Sequence, residues 1–307
     1  MKKSWKIGTR ASKLAMWQTH KVANALQQTG FQVDIEQIHS AGDLNQQQPL
    51  YELGISGIFT RSLDIALLEG RVDLAVHSLK DVPTQLAKGL SLAAVLPRAC
   101  PWDVLIHKAV AQDLSDKKGT IIASGSLRRR AQWHQRYPSH VLENLRGNIQ
   151  TRLRKLEEHD WAGIIMAEAA LDRLEMDLQD RVERLDWMVP APAQGIIGIV
   201  CREGEQDLIS ALQAIDHAET HACAELERSF MRTLEGGCTA PIGGYAQRTE
   251  KGYSLEGVVL SLDGQQAIRK SWEGTGAPRD LGRQWAQEML AAGGAALMQE
   301  IRYVTEK

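Results

Sequence analysis

Arginine side chains crowd into one stretch of this chain. From Thr120 to Lys155 there are eight Lys or Arg residues and one acid, Glu143. Arg128, Arg129, Arg130 and Arg136 follow one short apolar run, and Arg146, Arg152, Arg154 and Lys155 follow the next. A guanidinium fork matches a carboxylate or phosphate through two parallel hydrogen bonds, so the chemistry on offer is the binding of an anion with several such groups. Charge runs are often no more than solvated helix faces. Here the arginines begin where apolar strands end, and open α/β sheets bind ligands beyond the carboxyl ends of their strands.

Two further motifs carry reactive groups. In Lys80-Asp81-Val82-Pro83 the aspartate can be a plain turn former. In a cleft lined with arginines its carboxylate stays ionised, and it can then stabilise a cation and relay protons. In Glu235-Gly236-Gly237-Cys238 the thiol follows two glycines, whose backbone can approach a ligand closely, so Cys238 can present a nucleophile. Cys100, Cys201 and Cys223 lack that context and read as structural.

These residues need elements to position them. Short apolar runs predict strands at 5–8, 33–38, 72–77, 90–96, 120–124, 141–145, 163–167 and 196–201, with helix-spaced apolar residues between them. Strands alternating with helices predict parallel sheets with crossover helices. Pro97–Trp102 and Val189–Gly195 break the pattern and are read as crossings between two α/β domains. The strand and helix after Gly195 return to the first. From about His217 onward, a helix, three strands (243–247, 253–260, 267–272) and one final helix (280–301) predict a small α+β domain. The expected division is 1–96 with 196–215, then 97–195, then 216–307.

The bulk composition narrows the function. At 307 residues, 43% hydrophobic and 24% charged, the chain reads as a globular protein of more than one domain. A net charge of −2 gives no global attraction to nucleic acid or anionic membrane. No dinucleotide or P-loop glycine pattern occurs, and the basic stretch has only Trp133 and Tyr137 near it, too few aromatics for an RNA-stacking surface. Charges at Lys6 and Arg10 interrupt any leader-like run, and there is no apolar stretch of about 18 residues. Four scattered cysteines suggest a reducing compartment. A cytoplasmic monomer with no metal, nucleic-acid or membrane partner is expected.

The blocks Ile7-Gly-Thr-Arg-Ala-Ser12, Ala75-Val-His-Ser-Leu-Lys-Asp-Val-Pro83, Gly125-Ser-Leu-Arg-Arg129, Leu145-Arg-Gly-Asn-Ile-Gln-Thr-Arg-Leu153, Pro192-Ala-Gln-Gly195 and Leu234-Glu-Gly-Gly-Cys-Thr-Ala-Pro-Ile-Gly243 resemble those of the hydroxymethylbilane synthase (porphobilinogen deaminase) family, in the same order and across nearly the whole chain. The resemblance implies two doubly wound domains of the type II periplasmic-binding-protein kind plus a small α+β domain. It implies a dipyrromethane cofactor on Cys238 through a thioether and porphobilinogen as substrate, with Asp81 as the catalytic carboxylate. Lys80, Ser126, Arg128, Arg129, Arg146 and Arg152 would hold the carboxylates of cofactor and growing chain, and Arg10, Ser12 and Arg173 would bind incoming substrate. A carboxylate-binding protein without catalysis is the alternative on the same cleft, and it leaves the Gly-Gly-Cys motif without a purpose.

The sequence departs from the family pattern at Ser56, where a lysine is usual, near Ala41, where a basic residue is usual, and over Glu168-Ala169-Ala170-Leu171, where Ala-Gly-Leu is usual. These positions fall around the expected cleft and its loop.

Overall fold

The computed structural model describes residues 4–39, 60–109, 114, 118–234 and 240–305. Ala41, Ser56 and Cys238 lie outside them. In chain order the elements are β1 (Ser4–Thr9), α1 (Lys13–Gln28), β2 (Gln32–Gln37), α2 (Arg61–Leu68), β3 (Leu74–Ser78), β4 (Leu90–Val95), β5 (Asp103–His107), β6 (Ile121–Ala123), α3 (Leu127–Arg136), β7 (Val141–Glu143), α4 (Ile149–Glu158), β8 (Gly163–Ala167), α5 (Glu168–Arg173), β9 (Val182–Arg184), β10 (Ile197–Arg202), α6 (Gln206–Gln213), α7 (Ala218–Thr233), β11 (Ile242–Thr249), β12 (Gly252–Leu260), β13 (Ala267–Gly274), α8 (Pro278–Met289) and α9 (Ala295–Thr305).

Two five-stranded sheets share one design. The first has the order β2-β1-β3-β10-β4 and the second β7-β6-β8-β5-β9. In each, three strands are parallel, and the fourth position is taken by an antiparallel strand that arrives from the other sheet. β5 and β8 are buried along their whole lengths, as strands covered on both faces must be, and β8 reads as a near-continuous apolar run. Helix α1 lays Val22, Ala23 and Leu26 onto the first sheet beside Ile7, Leu74 and Ile199. The third unit is the antiparallel sheet β11-β12-β13, with Phe230 of α7 and Trp285 of α8 in its core. The two doubly wound sheets and the small α+β unit match the expected fold class.

Three details differ from expectation. β5 and β9 were not foreseen: the apolar centre of β5 is only Val104–Ile106, and β9 is a short edge strand with little burial, so neither carries a periodic signal. The sheets are mixed rather than purely parallel, because each crossing feeds an antiparallel strand. The final helix is not continuous. It passes through a π-helical turn at Leu290–Gly294, where Gly293 has φ 108°, a conformation that disrupts regular α-helix.

The two crossings lie against each other. Ala99 N–H donates to Gly195 O at 3.0 Å, and a Cβ on Gly195 would meet Ala99 O at 2.6 Å. Buried Glu227 of α7 fastens both: Oε2 accepts from Arg98 at 2.6 Å and from Ala193 N–H at 2.6 Å, while Oε1 accepts from Ala246 N–H at 2.7 Å. Gly195 also has φ +84°, a region that strains L side chains. Gly195→Ala therefore combines a backbone clash with an unfavourable φ, and a loss of about 1–3 kcal/mol is expected, measured as a lower urea midpoint with an unchanged slope. An unchanged midpoint would show that the crossings are not in close contact.

Candidate active site

The cleft is built from strand ends. Ser78 ends β3 and leads into a 3-10 turn, Leu79–Asp81, which carries Lys80 and Asp81. Because β5 runs antiparallel to β8, its first residue, Asp103, pairs with the last residue of β8, Ala167. Likewise Ile197, which opens β10, pairs with Ser78. The two crossings thus deliver Asp103 and Gln194 to the same end of the sheets as Lys80. Ser78, Lys80, Ala167, Arg173 and Gly195 line the small cavity between the sheets.

Asp103 is the charge centre. Its carboxylate is fully buried and pairs with Arg128 at 2.7 Å and with Arg129 at 2.7 Å. Arg129 Nε adds a hydrogen bond at 2.9 Å and Gln194 Nε2 another at 2.9 Å. Burial pushes its carboxyl pKa up, but Arg128, Arg129 and Lys80, with the Gln194 bond, outweigh that and hold it at about 2. Arg128 NH1 donates to Val189 O and Arg129 NH1 to Ile165 O. Arg128 Nε is buried with no partner among the described residues. Ser126 caps α3, its hydroxyl accepting from Arg129 N–H at 3.5 Å, which sets the first turn that carries both arginines.

The second half of the basic stretch follows the same plan. Asn148 caps α4, and Arg152 Nε donates to Gly147 O at 2.8 Å. Arg146 is buried. Burial, Arg129 and Arg146 bring Arg152 down to about 10, with Asp81 opposing them. Burial also brings Arg173 down to about 10, while it donates to Gly195 O at 2.6 Å. Lys80 is lowered to about 8 by burial and by Arg129 and Arg128, with Asp81 and Asp103 opposing. In all three, burial is the first cause, and neighbouring guanidiniums add to it for Arg152 and Lys80.

The basic stretch therefore divides. Arg128, Arg129, Arg146 and Arg152 belong to the cluster. Arg130 bonds Leu142 O, Arg136 stacks on Tyr137 and Trp187, and Arg154 pairs with Glu158 on the surface. Arg10 follows β1 and is close enough to His77 to depress its pKa, though burial does most of that and takes it to about 4. Ser12 caps α1, its hydroxyl accepting from Ala15 N–H. Glu168 spends its carboxylate on Arg184 and accepts from the Cys100 thiol at 3.0 Å, so this departure adds no unpaired charge.

Asp103 and Gln194 are the residues that sequence reasoning missed. An acid opening the apolar run Val104–Ile106 was the available signal, since an acid at such a place needs a cation. Gln18, which donates to Ser78 Oγ at 2.8 Å from inside α1, left no signal. Among the described residues no group of His, Cys, Asp and Glu could hold a metal, and no helix is long and apolar enough to cross a membrane.

Residues 5–210 match the family model "porphobilinogen deaminase, dipyromethane cofactor binding domain", and residues 221–291 match "porphobilinogen deaminase, C-terminal domain". A porphobilinogen deaminase of Desulforamulus reducens is 38% identical, covering 98% of this chain and 99% of that protein. One from Synechococcus elongatus is 38% identical over 96% and 95%. A chloroplastic one from Oryza sativa is 39% identical over 88% of this chain and 77% of that protein. Among solved structures, the periplasmic VFT2 domain of Bordetella pertussis BvgS has a TM-score of 0.42 at 14% identity, covering 69% of this chain and 86% of that chain. The L-cystine solute receptor of Neisseria gonorrhoeae has a TM-score of 0.40 at 15% identity, over 70% and 86%.

The Asp103 environment has a consequence for acid stability. Its folded pKa, about 2, lies below the ordinary 3.8. Its contribution is therefore complete above about pH 4 and disappears as pH falls toward 2, an effect of about 2 kcal/mol. Asp103→Asn leaves two buried guanidiniums without their counter-ion and is expected to cost about 3–5 kcal/mol at neutral pH. It should also flatten the decline of stability between pH 4 and 2. Urea midpoints across pH 2–7 test both, and parallel curves for the two proteins would place the acid sensitivity elsewhere.

Proposed function

The chain belongs to the porphobilinogen deaminase family, and we propose that it is a working transferase of that family. It condenses four porphobilinogen molecules head to tail into linear hydroxymethylbilane, releasing ammonia at each step, on a dipyrromethane primer joined to Cys238 by a thioether. The observation that carries this reading is the anion-poor cluster of Lys80, Arg128, Arg129, Arg146 and Arg152, gathered near Asp81. Each porphobilinogen brings two carboxylates, so primer and product are polyanions, and such a cluster suits them. Arg128 Nε, buried and unpartnered among the described residues, is a donor for one of those carboxylates.

The roles divide by position. Lys80, Ser126, Arg128, Arg129, Arg146 and Arg152 hold the carboxylates of cofactor and growing chain. Arg10, Ser12 and Arg173 orient the incoming substrate. When bound, the cofactor supplies the pyrrole α-carbon to which the substrate's methylene carbon bonds. Asp81 lies beside the cations, so its carboxylate stabilises the positive charge left on the substrate pyrrole as the C–N bond breaks. It then takes part in removing the α-proton after the C–C bond has formed. The proposal includes three domains (1–96 with 196–215, 97–195, 216–307), a cytoplasmic setting and a monomer. A purely carboxylate-binding role leaves Cys238 without use.

Intact mass and rate test the assignment together. Wild type should carry the mass of two linked pyrroles, Cys238→Ser should carry none and be inactive, and Cys201→Ser should keep the adduct. Asp81→Asn should fold and load, yet turn over slower by a factor on the order of 10² or more. An adduct on Cys238→Ser, or near-wild-type turnover by Asp81→Asn, would overturn the respective role.

A further inference from the structure

We infer that Gln194 is a positioning residue, whose side-chain amide seats the Lys80 ammonium against the arginine cluster by tying it to Asp103 and to the Pro101 carbonyl. The inference rests on the carboxylate-binding reading of the cleft and adds a residue to which no role has been given. Gln194 is 1% exposed. Its Oε1 accepts from Lys80 Nζ at 3.1 Å, and its Nε2 donates to Pro101 O at 2.7 Å and to Asp103 Oδ1 at 2.9 Å. The partners fix the amide's orientation: an ammonium can only donate, and a carbonyl and an ionised carboxylate can only accept.

The backbone holds this side chain in place. Gln194 lies between Ala193 at φ 62° and Gly195 at φ 84°, and Glu227 anchors Ala193 N–H. Lys80 comes from the end of β3 and Asp103 from the start of β5, so one amide joins the charged residues of the two sheets. The charged groups that face Lys80 are Asp81 in its own turn, Asp103 from β5 and Arg128 and Arg129 from α3, with Arg173 of α5 lining the same cavity. A neutral acceptor suits this place. It stabilises the ammonium beside two guanidiniums without cancelling its charge, and leaves that charge for a ligand carboxylate. Glutamate would neutralise Lys80 and set an acceptor against Asp103. Leucine would leave Lys80 without its acceptor and Pro101 O without its donor.

The test uses full-length Gln194→Leu and Gln194→Glu beside wild type, each checked by intact mass for the pyrrole adduct. The Lys80 side-chain ¹⁵N resonance, assigned by its absence in Lys80→Arg, is followed against pH. The titration should move to lower pH in Gln194→Leu and to higher pH in Gln194→Glu, each by about one unit. KM for porphobilinogen should rise about tenfold in both, with kcat changing less. A residue that merely fills space would not shift Lys80 in opposite directions. Unchanged titration, or shifts of the same sign, overturns the inference; if the leucine variant does not fold, the sign of the shift in the isosteric glutamate variant decides. Missing adduct in wild type overturns the enzymatic reading alone, since the Lys80 titration is read without turnover.

Discussion

Two guanidinium groups cannot share a buried position without a counter-ion, and the single carboxylate of Asp103 meets that requirement for Arg128 and Arg129. Most of the cleft follows from this pairing. The carboxylate must sit where α3 begins, so β5 must start at the end of β8, and the chain must enter the second sheet antiparallel. One acid against two arginines leaves an excess of positive charge. Lys80 and Arg152 add to it, and burial first, then the neighbouring arginines, hold both below their ordinary pKa values. The cleft is thus neutral enough to fold and still carries an excess of positive charge.

The two sheets are the same arrangement used twice, and the exchange of strands between them creates the site. β10 occupies in the first sheet the place that β5 occupies in the second. Each antiparallel strand starts at the cleft, so the residues just before it are delivered to the ligand end of the opposite sheet. Gly195 lets the crossings touch, and Glu227 fixes them to the third unit through Arg98, Ala193 and Ala246. A buried carboxylate that accepts from three donors is a firm anchor for two chain segments and a sheet. The crossings beside the cleft are in this way tied to the third unit.

Among the basic residues, the division of labour follows helix geometry. Arg128 and Arg129 are in the first turn of α3, set by the Ser126 cap, and face inward; Arg136, at the other end, reaches an aromatic surface. Arg152 in the first turn of α4 faces inward, while Arg154 pairs with Glu158 on the surface. Residues two apart on a helix point to different sides, so a run of arginines cannot all serve one ligand.

The sequence by itself determined most of the element types, the α/β class and the family, because apolar periodicity, turn residues and ordered motif blocks are local signals. It pointed to Lys80, Asp81 and the arginines for the same reason: unusual charge near a strand end is visible along the chain. It did not reveal β5 or β9, whose apolar runs are too short to show a period. Nor did it reveal Asp103 or Gln194 as partners of those cations. Asp103 lies 25 residues before Arg128, and Gln194 lies 114 residues after Lys80. Only the exchange of antiparallel strands brings them together. Counter-ion and acceptor are chosen by distance in space, through burial and Coulomb energy, and that distance exists only after the chain has crossed between its sheets.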